Sequence, residues 1–373
     1  MAWRVPVAEP EFDGSEAEAV AAVLRSGWIT QGARVSELEA AFARRCAARR
    51  AVATGTGTGA LHVALLALGV GPGDDVVTTP LSCIASANPI LFCGARPVFA
   101  DVDAETLNIE APQVEKALTP RTRAILAVHL FGHPVDLDPL RALASARGVP
   151  LLEDAAQATG AEYRGRPVGA LATVGAFSLY ANKIVTSAEG GMLTTDDPAL
   201  ADRLVSVRNH GQAPGRPFVH PLLGGNYKMS DLHAAVGLAQ LARIDDFVAR
   251  RRANVAELNR RLAGLEALLE RLPADKPWAR SAPFGYPLRF RTPRLRALAE
   301  ARLHAAGIET RPLFSLITDQ PPYRALGFDP IDTPVAADAF ARGLYVSVSP
   351  ALTGDARALI TDTLRRLAQE TGA

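Results

Sequence analysis

The sequence is poor in cysteine, has no excess of either charge sign and has no long uninterrupted apolar run. Its three cysteines among 373 residues are too few and too irregularly spaced for a disulfide framework or a CxxC zinc site. The 40 Lys and Arg residues offset 39 Asp and Glu residues, and a net charge of +1 argues against a nucleic-acid partner. No apolar run approaches the roughly 20 residues of a membrane-spanning helix, and residues 1–10 contain no apolar signal core. We therefore expect a globular cytoplasmic protein without a membrane partner.

Apolar residues are plentiful, and their pattern predicts an α/β fold. Hydrophobic residues make up 48% of the chain, enough for large cores, and a typical domain of about 150 residues suggests two domains. Helical and strand-like runs alternate through the first half, which is typical of a mainly parallel sheet covered by helices. The predicted strands contain residues 76–77, 97–99, 124–128, 149–152, 174–178 and 191–195, and the predicted helices cover 15–25, 60–68, 84–92, 137–146 and 199–207.

The second half of the chain has a different pattern. Residues 230–262 contain many helix formers and predict one long connecting helix, after which short strands and helices follow, with a strand in FGYPLRF. We therefore predict a large domain over residues 1–245 and a smaller α+β domain over 246–373. At the start of the chain, Ser15 with Glu18 three residues later predicts a helix that begins with a capping box.

A glycine-rich turn, Gly55 to Ala60, precedes the apolar segment ALHVALLAL. Glycines let the backbone approach a ligand, and the free N–H groups of a helix start favour an anion such as phosphate. The turn also fits the GxGxxA dinucleotide fingerprint, but the next strand, Val76–Val77, ends without the acidic residue that the fingerprint requires. A simple turn before a core helix is the third interpretation.

Two further segments contain candidate catalytic side chains. In LLEDAAQ an apolar strand runs into Glu153 and Asp154, and open α/β sheets bind ligands at the carboxyl ends of their strands. In FSLYANK, Lys183 lies between two strand-like runs among small and apolar residues, where a desolvated amine could form a Schiff base. Taken singly, the acidic pair could be a helix cap and Lys183 a solvated lysine.

Together, the anion-binding turn, the carboxylate and the lysine match the requirements of pyridoxal 5′-phosphate (PLP). The turn would hold the phosphate, the carboxylate would keep the pyridine nitrogen protonated, and the lysine would hold the aldehyde as an imine.

With these segments in place, the chain resembles the DegT/DnrJ/EryC1/StrS sugar aminotransferases, which are fold-type I PLP enzymes. The resemblance extends over nearly the whole chain, through ordered motifs that include GWITQG, TGTGAL, EDAAQATGA, FSLYANK, EGGMLTTDD, GGNYKMSDLHAA and ETRPLF. SLYANK and TTPLSC are most similar to the perosamine-synthase-like branch, which aminates nucleotide-linked 4-keto-6-deoxyhexoses.

The resemblance implies a role for each matched residue. Lys183 would bind PLP covalently and shuttle a proton, and Asp154 would pair with the pyridinium nitrogen. Gln157 would contact the ring's 3-oxygen. The phosphate would be held by the backbone N–H groups of Thr58 and Gly59, by the Ser178 hydroxyl, and by Asn226 from the partner subunit of a homodimer with shared sites.

Other positions leave alternatives open. Where relatives often have an aromatic residue stacked on the cofactor ring, this chain has Cys83, which could pack there as a small hydrophobe or be an ordinary buried cysteine. Arg311 could hold the diphosphate of a nucleotide sugar or lie on the surface, and Thr30 in GWITQG is a second candidate substrate contact. His129 and His133 have i, i+4 spacing, but they flank a strand exit, so we predict no metal site.

The sequence therefore predicts a PLP-dependent aminotransferase. It would move an amino group, with pyridoxamine phosphate (PMP) as the intermediate form of the cofactor, from a donor such as glutamate to a nucleotide-linked keto sugar. The alternatives are amination of a 3-keto sugar nucleotide or a keto-cyclitol and, from another class, an NAD-dependent oxidoreductase. A cofactor-binding protein without turnover is disfavoured because Lys183 is present.

Overall fold

A computed structural model describes residues 3–213 and 215–373. The helices are α1 Ser15–Ser26, α2 Ala33–Arg45, α3 Gly57–Ala67, α4 Asn88–Phe92, α5 Ala111–Ala117, α6 Leu137–Arg147, α7 Pro198–Arg208, α8 Asp231–Leu241, α9 Ile244–Leu262, α10 Pro293–Ala305, α11 Pro321–Ala325, α12 Pro334–Arg342 and α13 Gly354–Thr371. The strands are β1 Arg50–Thr54, β2 Asp75–Thr78, β3 Leu81–Ser82, β4 Arg96–Phe99, β5 Thr122–Val128, β6 Leu151–Asp154, β7 Glu162–Tyr163, β8 Arg166–Pro167, β9 Val174–Ser178, β10 Gly191–Thr195, β11 Leu269–Arg271, β12 Ala279–Arg280, β13 Tyr286–Phe290, β14 Arg311–Pro312, β15 Ser315–Leu316 and β16 Gly343–Val346.

A seven-stranded sheet organises the larger part of the chain, with strand order β1-β10-β9-β6-β5-β2-β4. The strands from β9 to β4 pair in parallel, while β10 runs antiparallel to both of its neighbours. The apolar strands are buried on both faces, as expected for a sheet between helical layers. The predicted α/β class with a mostly parallel sheet is confirmed.

Helix α3 is the segment that the sequence predicts to be apolar almost all round. Its residues Leu61, Val63 and Leu65 are buried and pack in one cluster with sheet residues such as Val76 and Leu126. Because α3 packs between the sheet and α7, its N-terminal turn is held in a defined position next to the end of β1. That turn is the glycine-rich segment singled out above.

The smaller C-terminal unit is built on a four-stranded antiparallel sheet, β11-β13-β16-β14. Its core combines Leu288, Leu344 and Ile360 with residues of α9 and α10. The N-terminal segment also belongs to this core, because Val5 is buried there and forms a bridge with Ile308. The boundary at 245/246 falls inside α9, so the division into two domains stays a prediction.

Several local predictions differ from the structure. The capping box is wrong: Gly14, at φ 96°, takes the N-cap position, and Ser15 donates to Asp13 Oδ1 instead. The single helix over 230–262 is also wrong, since α8 and α9 are separated at Ala242 and Arg243. Arg243 lies at this break and forms ion pairs, including one to Glu11. A contact with a residue distant in sequence therefore occurs at the point where α8 ends and α9 begins.

The sequence analysis did not predict α2 and β1. Within residues 3–213 and 215–373, no helix combines the length and apolar character that crossing a membrane requires.

Candidate active site

Three candidate side chains lie at or just beyond the ends of neighbouring strands of the large sheet. Asp154 is the last residue of β6 and Ser178 the last residue of β9, and these two parallel strands are adjacent. Lys183 lies in the loop that joins β9 to the antiparallel β10, and the loop is closed by a bond from Leu179 N to Gly190 O. The carboxyl edge of the sheet therefore brings together residues that the sequence placed in separate motifs.

Lys183 is a partly buried amine. Loss of water around it lowers its pKa, while the nearby acidic groups of Cys83 and Asp154 act in the opposite direction. Its Nζ lies 4.6 Å from the centre of the Phe284 ring, within the range of a cation–π contact. A lowered pKa favours the neutral amine, which is the form that attacks an aldehyde.

Asp154 is almost completely buried, with 2% of its surface exposed. Its Oδ2 accepts a hydrogen bond from Ser86 Oγ at 2.7 Å, and its Oδ1 accepts one from Ala156 N at 3.1 Å. Burial raises the pKa of Asp154, and these two bonds lower it. A cationic pyridinium beside this carboxylate would favour its ionised form further, since an opposite charge stabilises the carboxylate.

The neighbouring acid, Glu153, faces away from this edge. Its carboxylate accepts backbone N–H bonds from Gly169, Leu171 and Ala172, and Nε2 of His129 lies 3.1 Å away. These partners supply the hydrogen bonds that the fully buried Glu153 carboxylate needs, because burial of an unpaired charge is unfavourable. Glu153 therefore has a structural role, and Asp154 is the acid available to a ligand.

Gln157 is oriented by the backbone. Its Oε1 accepts the N–H of Phe131 at 2.8 Å, which leaves Nε2, a donor, at the other end of the amide. This orientation agrees with the expected contact to an oxygen of the cofactor ring, which stays a prediction.

The glycine-rich turn packs directly on Ser178. A Cβ at Gly57 would lie 2.7 Å from Ser178 Cβ, so only glycine allows this approach. Thr56 is the N-cap of α3, and its Oγ1 accepts the N–H of Gly59 at 2.9 Å. Within the described residues, the N–H groups of Gly57 and Thr58 have no partner.

The two amides of the predicted phosphate contact differ in their present bonding. Gly59 N–H is bonded to Thr56 within the chain, whereas the N–H groups of Gly57 and Thr58 are not, and the contact through Thr58 and Gly59 stays a prediction. Together with the nearby Ser178 hydroxyl, the amides of Gly57 and Thr58 fit an anion at the start of a helix.

Cys83 and Arg311 border the same region. Cys83 is exposed and directly precedes the short helical turn Ile84–Ser86. Arg311 on β14 pairs in register with Tyr345, whose pKa burial raises to about 12. The Arg311 guanidinium is exposed and donates to Glu309 Oε1 at 2.7 and 3.0 Å, so part of its charge is offset in this state.

Among the described residues, neither Asn226 nor Thr30 is hydrogen-bonded to Asp154. Asn226 is exposed and forms a backbone bridge with Asn209, while the adjacent Tyr227 points to α3 and bonds His62. Thr30 is exposed, and its carbonyl accepts the N–H of Asp231 at the start of α8. For both residues a role in the site stays a prediction.

Sequence reasoning missed an aromatic cluster beside Lys183. It consists of Phe131, Phe284, Phe314 and Tyr345, whose ring centres lie 5.1 to 6.2 Å apart in the contacting pairs. These residues come from distant parts of the chain, and nothing in their local sequence marks them as neighbours of a lysine. Ser86, the partner of Asp154, was missed for the same reason.

His129 and His133, which have i, i+4 spacing in the sequence, contact different groups. His129 bonds Glu153 and accepts Val135 N, and His133 bonds the carbonyl of Pro134. In the part of the chain that the structure describes, no group of His, Cys, Asp and Glu side chains could hold a metal ion.

A buried lysine, a buried carboxylate and a helix start with unbonded amides on a mostly parallel sheet are the features expected of a fold-type I PLP enzyme. Residues 10–365 match the model of the DegT/DnrJ/EryC1/StrS aminotransferase family, and the chain belongs to that family. The resemblance seen in the sequence, the enzyme class and the fold type are thereby confirmed.

Similar proteins agree with this assignment. The chain is 39% identical over 355 residues to GDP-perosamine synthase of Caulobacter vibrioides, covering 94% of each chain. DesV of S. venezuelae, solved in complex with a ketimine intermediate, is 36% identical with a TM-score of 0.90, and the match covers 95% of this chain and 94% of DesV. Spr1654 of Streptococcus pneumoniae, 27% identical, has been solved in a PLP form. That form has a TM-score of 0.93 and matches over 98% of this chain and 99% of its own.

The oxidoreductase alternative is wrong. Strand β1, which leads into the glycine-rich turn, pairs antiparallel with β10 and is not adjacent to β2. The GxGxxA string is therefore not part of the parallel βαβ unit that a dinucleotide needs, and its glycines serve the close approach to Ser178 instead.

Proposed function

We propose that this protein transfers an amino group, with glutamate as the donor, to a nucleotide-linked keto sugar, most specifically a 4-keto-6-deoxyhexose. The observation that carries the proposal is the meeting of Lys183, Asp154 and the free amides of Gly57 and Thr58 at one sheet edge. The relative named GDP-perosamine synthase supports a sugar linked to a nucleotide.

PLP fits the residues present, and it would supply an aldehyde that forms an imine with an amine and a ring that accepts electrons. Lys183 would hold that aldehyde and, once displaced by the donor, would move the proton at the reacting carbon. Asp154 would keep the ring nitrogen protonated, and Gln157 Nε2 would donate to the ring oxygen. Gly57, Thr58 and Ser178 would hold the phosphate.

The remaining residues of the site would contact the cofactor ring or the substrate. Cys83 would pack against the cofactor ring, and it is close enough to Lys183 to affect the pKa of the amine. The Arg311 guanidinium would exchange its bond to Glu309 for the diphosphate of the nucleotide, because a doubly charged acceptor attracts it more strongly. Thr30 would contact the sugar nucleotide from the exposed segment before α2.

We further propose that the working form is a homodimer in the cytoplasm. The excursion between α7 and α8 presents Phe218 and Leu223, which are 92% and 91% exposed, and an apolar surface of this kind favours burial against a second copy. Asn226 follows in the same excursion with an exposed side chain, so it could reach the phosphate of the partner subunit. The free thiols of Cys46, Cys83 and Cys93 are typical of a reducing compartment.

The proposal is tested with the purified PLP-loaded protein, glutamate and a panel of acceptors: 4-keto and 3-keto nucleotide sugars and a keto-cyclitol. We expect 2-oxoglutarate to form with an aminated 4-keto sugar nucleotide, measured by mass spectrometry. The K183A variant is the negative control. Preferential amination of the 3-keto sugar or the cyclitol would support the alternative substrates, and no amination of any acceptor would contradict the proposal.

A further inference from the structure

Two serines form a buried hydroxyl chain that ends on Asp154. Ser86 Oγ donates to Asp154 Oδ2 at 2.7 Å, and Ser82 Oγ lies 2.9 Å from Ser86 Oγ. Exposure is 0% for Ser82 and 2% for Ser86 and Asp154, so water does not compete for these bonds.

The direction of the chain follows from counting hydrogens. A serine hydroxyl has a single hydrogen, and an ionised carboxylate can only accept. Because the Ser86 hydrogen is directed at Asp154, the bond between the two serines must be donated by Ser82. Ser86 thus accepts one bond and donates the next, an arrangement in which each bond strengthens the other.

Both oxygens of the Asp154 carboxylate are held by hydrogen bonds. Ser86 occupies Oδ2 and the Ala156 N–H occupies Oδ1, so both oxygens are oriented and each retains acceptor capacity. A bond to an ionised acceptor is stronger than a neutral one and stabilises the charged form. The Ser86 bond accordingly lowers the pKa of Asp154 against the effect of burial.

The position of Ser82 depends on a strand from the C-terminal part of the polypeptide. Ser82 lies on β3, whose only strand partner in the described structure is β15, with Ser82 in register with Ser315. Strand β15 follows β14, which contains Arg311. The pairing of β3 with β15 therefore fixes Ser82 at one end of the hydroxyl chain, and Asp154 lies at the other end.

We propose that Ser86, oriented by Ser82, is a positioning residue that keeps Asp154 ionised and aimed at the ring nitrogen of the cofactor. This inference rests on the proposed function, because it requires Asp154 to act on that nitrogen. Both serines are buried and their hydroxyls bond each other and Asp154, so they would act through the carboxylate.

The test compares four single variants with the wild-type holoenzyme. S86A removes the bond to Asp154, S86T keeps a hydroxyl at that position, and S82A removes the donor to Ser86. The matched control is S206A, because Ser206 is a buried serine on α7 whose hydroxyl has no partner among the described residues. Each variant is assayed for kcat, for KM of glutamate, for the absorption maximum of bound PLP and for the dissociation constant of PLP.

We expect S86A to lower kcat by about tenfold to hundredfold, the range for losing a hydrogen bond to a charged group, with KM changed less than kcat. The absorption maximum of PLP bound to S86A should shift. S82A should change kcat and the absorption maximum in the same direction but by less, and S86T should restore both. S206A should leave kcat and the spectrum unchanged. S82A provides the same test if S86A fails to fold.

The D154N variant separates failure of this inference from failure of the proposed function. If D154N is impaired while S86A and S82A keep the wild-type kcat and spectrum, the positioning role is overturned and the role of Asp154 stands. If S86A loses thermal stability but keeps its spectrum and kcat, the serine is structural and the inference is likewise overturned. If D154N itself turns over like wild type, the role of Asp154 and this inference both fail, whereas the proposed function fails if the wild-type holoenzyme aminates no acceptor.

Discussion

Lys183 lies above the face of the Phe284 ring, with 4.6 Å between Nζ and the ring centre. Phe284 belongs to the C-terminal part of the chain, and its backbone N–H donates to Phe131 O across to the large sheet. Phe284 therefore links the loop that contains Lys183 to the part of the polypeptide that follows α9. A cation over a ring face is stabilised, and this opposes the desolvation that lowers the pKa of the lysine.

The F284L substitution should lower the pKa of Lys183 further. Leucine keeps an apolar neighbour but removes the ring face, whose contact is worth about 0.5 to 2 kcal/mol, and the neutral amine is then favoured at lower pH. The rate at which an amine-acylating reagent labels Lys183 in the cofactor-free protein should reach half its maximum at a lower pH. Peptide mass spectrometry measures this rate. F314L changes the same cluster without removing the ring under Nζ, and an equal shift in F314L would contradict the role of Phe284.

The G57A substitution should weaken cofactor binding without unfolding the chain. The new Cβ would lie 2.7 Å from Ser178 Cβ, and moving the turn away displaces both the free amides and the hydroxyl. We expect the dissociation constant of PLP to rise at least about tenfold, equivalent to roughly 1.4 kcal/mol. Titration of the cofactor-free protein followed by absorbance measures it. G71A is the control, since a Cβ there meets no described atom within 4 Å. An unchanged dissociation constant of PLP in G57A would show that this turn does not hold the phosphate.

The C83F substitution should be tolerated. Cys83 is exposed at the start of a short helical turn, and a phenyl group there could stack on the cofactor ring. Stacking contributes on the order of 1 kcal/mol, so the dissociation constant of PLP should fall about fivefold. Thermal melting and PLP titration check this, with C83A as the control for loss of the thiol alone. A variant that folds but binds PLP more weakly than C83A would show that position 83 does not face the ring.

Mixed dimers test whether Asn226 completes the site of the other subunit. N226D places a negative charge where the phosphate should be held, and K183A lacks the essential amine, so each parent should be inactive. In a heterodimer, one of the two sites would combine the Lys183 of one chain with the Asn226 of the other. Purified heterodimers carrying two different affinity tags should therefore recover about half of the wild-type activity.

Two controls accompany this measurement. Each parent homodimer is carried through the same subunit-exchange procedure, and mass spectrometry verifies that both chains are present in the purified species. Heterodimers without activity would place Asn226 in the site of its own subunit.

The sequence alone determined the class of the protein and the residues with intrinsic chemistry. Asp154 was predicted because it follows an apolar strand, and Lys183 because it lies between two strand-like runs among small and apolar residues. The strands near 124–128 and 174–178 and the apolar helix α3 were predicted because each is an apolar run next to a turn signal. Helix α2 and strand β1 were missed, and the break between α8 and α9 coincides with ion pairs to the distant α1 region.

Only the tertiary structure decided which neighbours these residues have. Glu153 and Asp154 are adjacent acids on one strand, and successive side chains point to opposite faces, so one is enclosed by backbone amides and the other meets Ser86. Ser86 is 68 positions from Asp154 in the chain, and Phe284 lies far from Lys183, in the C-terminal part of the chain. The free amides of the glycine-rich turn likewise depend on which N–H the Thr56 hydroxyl captures. Local sequence specifies chemical type and periodicity, but the pairing of groups far apart in the chain is set when the sheet and its helices pack.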